Sequence, residues 1–243
     1  MIMKIVRFRY KGKEDWGVFQ GDQVVAIDSS RIPVDKIKIL APYLGGKIVL
    51  AGLNYIDHAR ELKMKVPEEP VIFIKPSSTV IGPKSGIIYP KQTANLHYEA
   101  ELAFMIGRKA RNVSRKYAAR YILGFTCLND VTARDLQAKD GQWTRAKSFD
   151  TFCPLGPWID TEYDWHGKQV SLLLNGVKMQ DGTTDDFIFD PYYLVEFISA
   201  TMTLYPGDIV STGTPKGVGP MAKGDRVTVD IEGLGALTNR VLP

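Results

Sequence analysis

The chain has 243 residues, 44% of them apolar and 24% charged, with a formal charge of +4. Length and apolar content suffice for one sizeable core or two unequal domains, which excludes a marginal miniprotein. Lys and Arg are interleaved with Asp and Glu without forming a basic run, so the footprint of a nucleic-acid binder is missing, whereas a mildly positive chain suits an anionic small-molecule substrate.

No apolar stretch approaches the ~20 residues of a membrane helix, and the opening Met-Ile-Met-Lys-Ile-Val-Arg lacks an apolar signal segment. Cys127 and Cys153 sit in apolar contexts and read as reduced, buried thiols. A cytoplasmic protein with no membrane or nucleic-acid partner is expected.

Residues 4–10 alternate in polarity, 11–15 form a polar turn, and 16–19 and 23–27 are short β-type runs around Gly21-Asp22. A short helix is expected within Pro33–Tyr43, and Gly45-Gly46 marks a boundary. The reading is a small β-rich N-terminal module, 1–46, against a larger domain, 47–243.

Residues 47–52 read as a buried strand leading to Asn54, a candidate N-cap for a helix starting near Tyr55. On that helix His58 and Glu61 are three apart and share a face. A carboxylate beside an imidazole orients it as a proton acceptor, although an exposed helical pair has the same spacing. Residues 71–76 form a short β-run that delivers Lys75 to its end, where a surface lysine would look the same.

The stretch from Leu96 to Gly107 alternates with period two, placing Glu99, Glu101 and Ala103 on one side and Tyr98, Ala100, Leu102 and Phe104 on the other. After a charged helical piece at 114–121, the apolar run 122–128 ends in Asn129-Asp130, so a third carboxylate sits where a buried strand stops. Three carboxylates without Cys or His form an all-oxygen set that suits Mg²⁺ or Mn²⁺ better than Zn²⁺. The competing reading is a solvated polar face, because antiparallel strands commonly keep one face wet.

Thr132 can cap a helix on which Arg134 and Gln137 are three apart. The Arg134 guanidinium can grip a metal-holding or substrate carboxylate, or pair with Asp130 or Asp135. Residues 139–143 read as polar loop. Strands at 154–159 and 171–174 follow, with Asn175-Gly176 as a hairpin turn. Asp190-Pro191 opens a helix with the apolar stripe Tyr193, Leu194, Phe197, Ile198 and Met202. The loop 213–217 offers hydroxyls and backbone N–H groups that could hold a carboxylate. Strands at 226–231 and 236–241 close the sheet.

The segments G-L-N-Y-I-D-H-A-R-E (52–61), H-Y-E-A-E-L (97–102), N-D-V-T-A-R-D-L-Q (129–137), W-T-R-A-K-S-F-D-T-F-C-P-L-G-P (143–157) and S-T-G-T-P-K-G-V-G-P (211–220) resemble the fumarylacetoacetate hydrolase family. The likeness is to its acylpyruvase and 2-hydroxyhepta-2,4-diene-1,7-dioate isomerase-like branch. It runs from about Val49 to the C-terminus, while the first 46 residues carry no matching motif.

The resemblance implies an α+β fold built on a rolled, mixed, mostly antiparallel sheet with flanking helices, and a homodimer. It implies Mg²⁺ or Mn²⁺ held by Glu99, Glu101 and Asp130, and the His58–Glu61 pair on a helix that folds over the substrate, followed by a loop at 65–70 suited to lid movement. It also implies Lys147 as the active-site lysine, Gln137 as a polar partner of the attacking water or the substrate, and Lys75, Arg134 and Thr214 near the substrate.

The activity expected from this likeness is hydrolysis of a C–C bond in an acylpyruvate-type 1,3-diketo acid, a 2-oxo acid substrate, to pyruvate and a carboxylic acid. His58 would activate water and Lys147 would stabilise the distal oxyanion. Isomerisation of a 2-hydroxyhepta-2,4-diene-1,7-dioate-type acid, or decarboxylation of an oxaloacetate-like β-keto acid, would use the same pocket. A catalytically silent small-molecule-binding protein is the alternative from another class.

Overall fold

Short β-branched and aromatic runs, repeatedly broken by glycine and polar turns, make this chain strand-rich. The computed structural model describes residues 3–61 and 65–242. At the N-terminus, β1 (Lys4–Tyr10), β2 (Lys13–Gln20), β3 (Gln23–Ala26) and β4 (Arg31–Pro33) follow one another as antiparallel neighbours. The helix expected within Pro33–Tyr43 is reduced to a 3₁₀ turn at Val34–Lys36, and Lys38–Leu40 becomes β5, paired with β1. The reason is periodicity: Ile37 and Ile39 alternate with lysines and pack beside Val6 and Phe8, which is a strand's pattern.

The main body begins with β6 (Ile48–Gly52), α1 (Ile56–Glu61), β7 (Val71–Lys75), β8 (Val80–Ile81), β9 (Gly86–Ile87), β10 (Leu96–Tyr98) and β11 (Ala100–Ile106). A 3₁₀ segment at Arg115–Tyr121 leads to β12 (Ile122–Asn129), β13 (Thr132–Ala133), α2 (Arg134–Asp140), α3 (Thr144–Lys147) and β14 (Cys153–Asp160). The chain closes with β15 (Gln169–Leu174), β16 (Val177–Thr183), α4 (Pro191–Thr201), β17 (Ile209–Ser211), β18 (Gly219–Pro220), β19 (Arg226–Ile231) and β20 (Gly235–Val241). Asn175 and Gly176 take positive φ of 52° and 88° in the tight β15–β16 hairpin. The Asp190 carboxylate accepts the Tyr193 N–H at 2.8 Å and caps α4, whose Leu194 and Ile198 are buried.

A twelve-stranded sheet runs β4-β3-β2-β1-β14-β12-β11-β17-β6-β7, with β5 and β8 attached to β1 and β14. A five-stranded sheet, β16-β15-β19-β20-β9, packs on it, and β13-β10-β18 form a small third sheet. Pairing is parallel in β6–β17, β8–β14 and β9–β20 and antiparallel in the other described pairs, which is the mixed, mostly antiparallel architecture expected.

Two consequences position the site. First, β11 is buried on both faces: Leu102, Phe104 and Ile106 join the core under the five-stranded sheet, and Ala103 and Met105 pack with Ile48, Leu50, Leu128 and Ala41. The solvated-face reading of the Glu-x-Glu strand therefore fails, with Glu101 only 1% exposed. Second, β7 lies four strands along from β12, which in a flat sheet at ~4.8 Å per strand would be about 19 Å. Yet Lys75, at the end of β7, places its Nζ 2.7 Å from Asp130 Oδ1, just past β12. The sheet is rolled so that its edge strand returns to the site.

Among the described residues, no helix is long and apolar enough to cross a membrane. Cys127 and Cys153 are free and buried, and burial pushes the Cys153 thiol up to about 12, so neither thiol is poised as a nucleophile.

Candidate active site

The carboxylate cluster follows from strand register. Ala100 pairs with Asn129 across β11 and β12, so one step further sets Glu99 opposite Asp130, where the Asp130 N–H donates to the Glu99 carbonyl at 2.9 Å. Glu101 is two residues along from Glu99 and opposite Leu128. One carboxylate oxygen from each of Glu99, Glu101 and Asp130 lies within 4.8 Å of the others, and all three residues are buried. The strand expected to run unbroken from Leu96 to Gly107 is interrupted at Glu99, with β10 in a different sheet from β11.

Three cationic side chains serve this cluster. Lys147, at the C-terminus of α3, donates to Glu99 Oε2 at 2.8 Å and Asp130 Oδ2 at 2.5 Å. Arg134 donates one nitrogen to Glu99 Oε1 and another to Gln137 Oε1 at 2.6 Å. The guanidinium therefore fixes a cluster carboxylate, and its expected alternatives, Asp130 and Asp135, are not its partners. Lys75 does not line the cavity but stands behind Asp130, donating to the carbonyls of Val131 at 2.9 Å and Phe152 at 2.6 Å. Asp130 Oδ1 is ion-paired with the Lys75 ammonium at 2.7 Å.

Electrostatics divide the three acids. Burial opposes ionisation of Glu99, but Lys147 and Arg134 outweigh it and hold the group well below the usual carboxylate range. Burial works against the Lys147 ammonium as well, and Asp130 and Glu99 overcome it and raise its pKa. Glu101 is not bonded to a cation; burial first, then the charges of Asp130 and Glu99, drive it well above the usual range, and the Lys147 charge offsets them only in part. It accepts from Ser211 Oγ at 2.5 Å and the Gly213 N–H at 3.2 Å. An all-oxygen set of three buried carboxylates, one of them short of positive charge, fits a hard divalent cation.

The base comes from α1. His58 is 5% exposed, and its Nδ1 lies 3.0 Å from Glu61 Oε2. A carboxylate accepts, so this contact assigns the proton to Nδ1 and leaves Nε2 as the acceptor. Glu61 is also gripped by the Gly217 N–H at 3.1 and 3.3 Å. The loop 213–217 thus spends the N–H groups of Gly213 and Gly217 on the protein's own Glu101 and Glu61, rather than offering them to a substrate. Its Thr214 hydroxyl accepts from Gln180 Nε2 at 2.8 Å and faces the cavity.

Two expected caps make other bonds instead. Asn54 donates to the carbonyls of Phe189 and Thr212, each at 2.8 Å, and accepts the Phe189 N–H, tying the start of α1 to a distant loop. Thr132 lies in β13 and donates to the Asp130 carbonyl at 2.9 Å, while α2 starts at Arg134 without a side-chain cap. The polar loop expected at 139–143 is divided between the end of α2 and a short link to α3.

One cavity of ≈ 380 Å³ brings together His58, Glu99, Glu101, Asp130, Arg134, Gln137, Lys147 and Thr214 with Ala51, Gly52, Leu53, Phe73, Ala138, Gly141 and Trp143. Glu61 reaches it through His58 and Lys75 through Asp130. Unforeseen contributors are Ser211, the Phe73–Trp143 wall, and Gln180, which also accepts the Ala100 N–H at 2.9 Å at the head of β11. Gln180 is the one buried residue among the first four of β16, and its surroundings in the sequence carry no signal of it.

Residues 47–242 match the family model described as fumarylacetoacetate (FAA) hydrolase C-terminal, and residues 3–42 match one described as Rv2993c-like, N-terminal. The chain is 38% identical over 250 residues to oxaloacetate tautomerase Fahd2a, mitochondrial, of Rattus norvegicus, covering 98% of this chain and 79% of that one. It superposes on 5-carboxymethyl-2-hydroxymuconate delta-isomerase from Mycobacterium smegmatis with a TM-score of 0.93 and 43% identity, covering 99% and 98% of the two chains. Maleylpyruvate hydrolase from Sphingobium sp. SYK-6, solved with manganese(II) and pyruvate, gives 0.85 and 29%, covering 99% of each chain.

Proposed function

The chain belongs to the fumarylacetoacetate hydrolase family, and on that footing we propose that it is an enzyme that shifts a proton on a small 2-oxo acid, interconverting its keto and enol forms. The observation that carries this reading is one cavity joining a carboxylate cluster that already holds the Lys147 ammonium with a hydrogen-bonded His58–Glu61 pair. Two relatives bear the names tautomerase and delta-isomerase, which denote reactions of this type.

The carboxylate-and-keto end of the substrate belongs at Glu99, Glu101 and Asp130, the residues that would hold Mg²⁺ or Mn²⁺. Bound there, such a cation supplies Lewis acidity toward the substrate's oxygens. Lys147 adds a fixed positive charge at that end, where negative charge develops as the carbon loses its proton. Its bonds to Glu99 and Asp130 favour this role over the distal oxyanion role expected from the sequence. His58 Nε2 takes the proton from the carbon beside the keto group and returns it, with Glu61 holding the ring through Nδ1. Gly217 fixes Glu61, and Arg134 fixes Gln137 beside the reacting carbon.

Hydrolysis of an acylpyruvate is the second reading. It is favoured by Gln137, an amide in the same cavity as His58 that can orient a water for attack on a distal carbonyl. Product analysis separates the two. Acetylpyruvate, oxaloacetate and unsaturated 2-oxo diacids are incubated with the protein and Mg²⁺ or Mn²⁺, with and without chelator. Cation-dependent enol–keto conversion that conserves mass supports tautomerisation, while stoichiometric pyruvate plus a carboxylic acid replaces it with hydrolysis, and CO₂ with decarboxylation. Failure of every substrate sinks both readings.

A further inference from the structure

The cavity lining is of two kinds. One is the charged cluster already described. The other is apolar: Ala51, Gly52, Leu53, Phe73, Ala138 and Trp143. The Phe73 and Trp143 rings meet edge to face, 5.3 Å apart at 76°, and the Lys147 ammonium lies 5.1 Å from the Phe73 centroid. Phe73 therefore links the two kinds of lining, touching both a cation and an indole.

Gly52 explains how the indole comes to lie there. A Cβ at that position would approach Trp143 Cζ3 to 2.6 Å and Cη2 to 2.9 Å, so the ring occupies the space that a side chain would fill. Gly141, the C-cap of α2 with φ +70°, lines the cavity near Trp143 in sequence, and a Cβ there would meet nothing within 4 Å. One glycine seats the wall and the other leaves space open beside it.

The lining includes two permanently cationic side chains, Lys147 and Arg134, and both are bonded to Glu99. A carboxylate lying against the ring faces of Phe73 and Trp143 would lose water there and meet only apolar surface. A flat uncharged group would gain a face of the same chemistry, since aromatic rings favour edge-to-face and offset contacts.

We infer that the Phe73–Trp143 wall is the specificity subsite, and that it selects 2-oxo acids whose distal group is uncharged and planar, such as an aryl or conjugated acyl group, over those with a short alkyl end. This rests on the 2-oxo acid reading above and names its substrate class. A conjugated substituent also suits the chemistry, because it extends the π system of the enol.

The test is calorimetric binding of a matched pair, 2-oxobutanoate and 4-phenyl-2-oxobutanoate, to the full-length protein loaded with Mn²⁺. The phenyl compound should bind at least ~10-fold more tightly to the wild type. Trp143→Ala should bring that ratio to within about threefold of one, and Trp143→Phe, which keeps an aromatic ring, should retain most of it. Gly52→Ala, which pushes the indole away from behind, should lower the ratio as well. A ratio near one in the wild type, or a large ratio that survives Trp143→Ala, overturns the subsite while leaving the 2-oxo acid reading intact. If neither compound binds, the 2-oxo acid reading fails and the subsite falls with it.

Discussion

Lys75 Nζ lies 2.7 Å from Asp130 Oδ1, and both side chains are essentially without solvent contact. Burial lowers the pKa of this ammonium and the Asp130 charge pulls the other way, so each group is tolerated because the other is present. Lys75→Met removes the cation and keeps the bulk, leaving Asp130 short of a partner and the Val131 carbonyl without its donor, while the Phe152 carbonyl keeps only the Val131 N–H at 3.2 Å. Breaking a buried pair in this way costs about 3–5 kcal/mol. Chemical denaturation in the presence of chelator should show a loss of that order, and a loss under ~1 kcal/mol would mean that Asp130 does not depend on Lys75.

Glu101 is the cluster acid not bonded to a cation, and burial with two nearby carboxylates disfavours its charge. Glu101→Gln keeps the shape and removes the charge. Mn²⁺ affinity, measured by titration calorimetry, should fall by more than the ~10–100-fold typical of an outer-shell change. Unaltered affinity would exclude Glu101 as a ligand.

Lys147 donates to both Glu99 and Asp130 from within the cavity. If it stabilises charge that develops during turnover, Lys147→Ala should lower kcat by about 10²–10³ on any substrate the wild type converts. A wild-type kcat in that variant would remove Lys147 from the chemistry.

His97 supplies a pH signature. Burial, reinforced by Arg134, pushes the imidazole down to about 4, from an ordinary 6.5. Between those values the unfolded chain binds a proton that the folded chain does not, so this residue's contribution to stability is lost as pH falls from 6.5 toward 4. In chelator, wild-type stability should drop more steeply over that window than the stability of His97→Gln, by up to about one proton. Parallel curves would contradict the shift.

Much of the site was legible because short-range rules reach it. Period two aligned Glu99 with Glu101, the strand end marked Asp130, and helical spacing joined His58 to Glu61 and Arg134 to Gln137. What stayed hidden depends on contacts between distant segments. Nothing local says that β11 is covered on both faces, that Ala100 pairs with Asn129, or that the rolled sheet carries Lys75 back to Asp130. Asn54 and Thr132 have residue types that favour caps, yet Asn54 bonds the distant Phe189 and Thr212, and Thr132 bonds the Asp130 carbonyl two residues back. The Ile37–Ile39 alternation, by contrast, was visible, and it outweighed the helical reading of its segment.

Proton exchange at carbon is the most direct readout of the proposed chemistry. A 2-oxo acid such as 2-oxobutanoate is incubated in D₂O with the protein and Mg²⁺ or Mn²⁺, and loss of the signal from the carbon next to the keto group is followed by proton NMR. Exchange that is fast with the cation, abolished by chelator and strongly slowed in His58→Gln is the predicted result. Exchange no faster than in buffer, or exchange that chelator leaves untouched, would contradict a cation-dependent proton transfer centred on His58 and the three carboxylates.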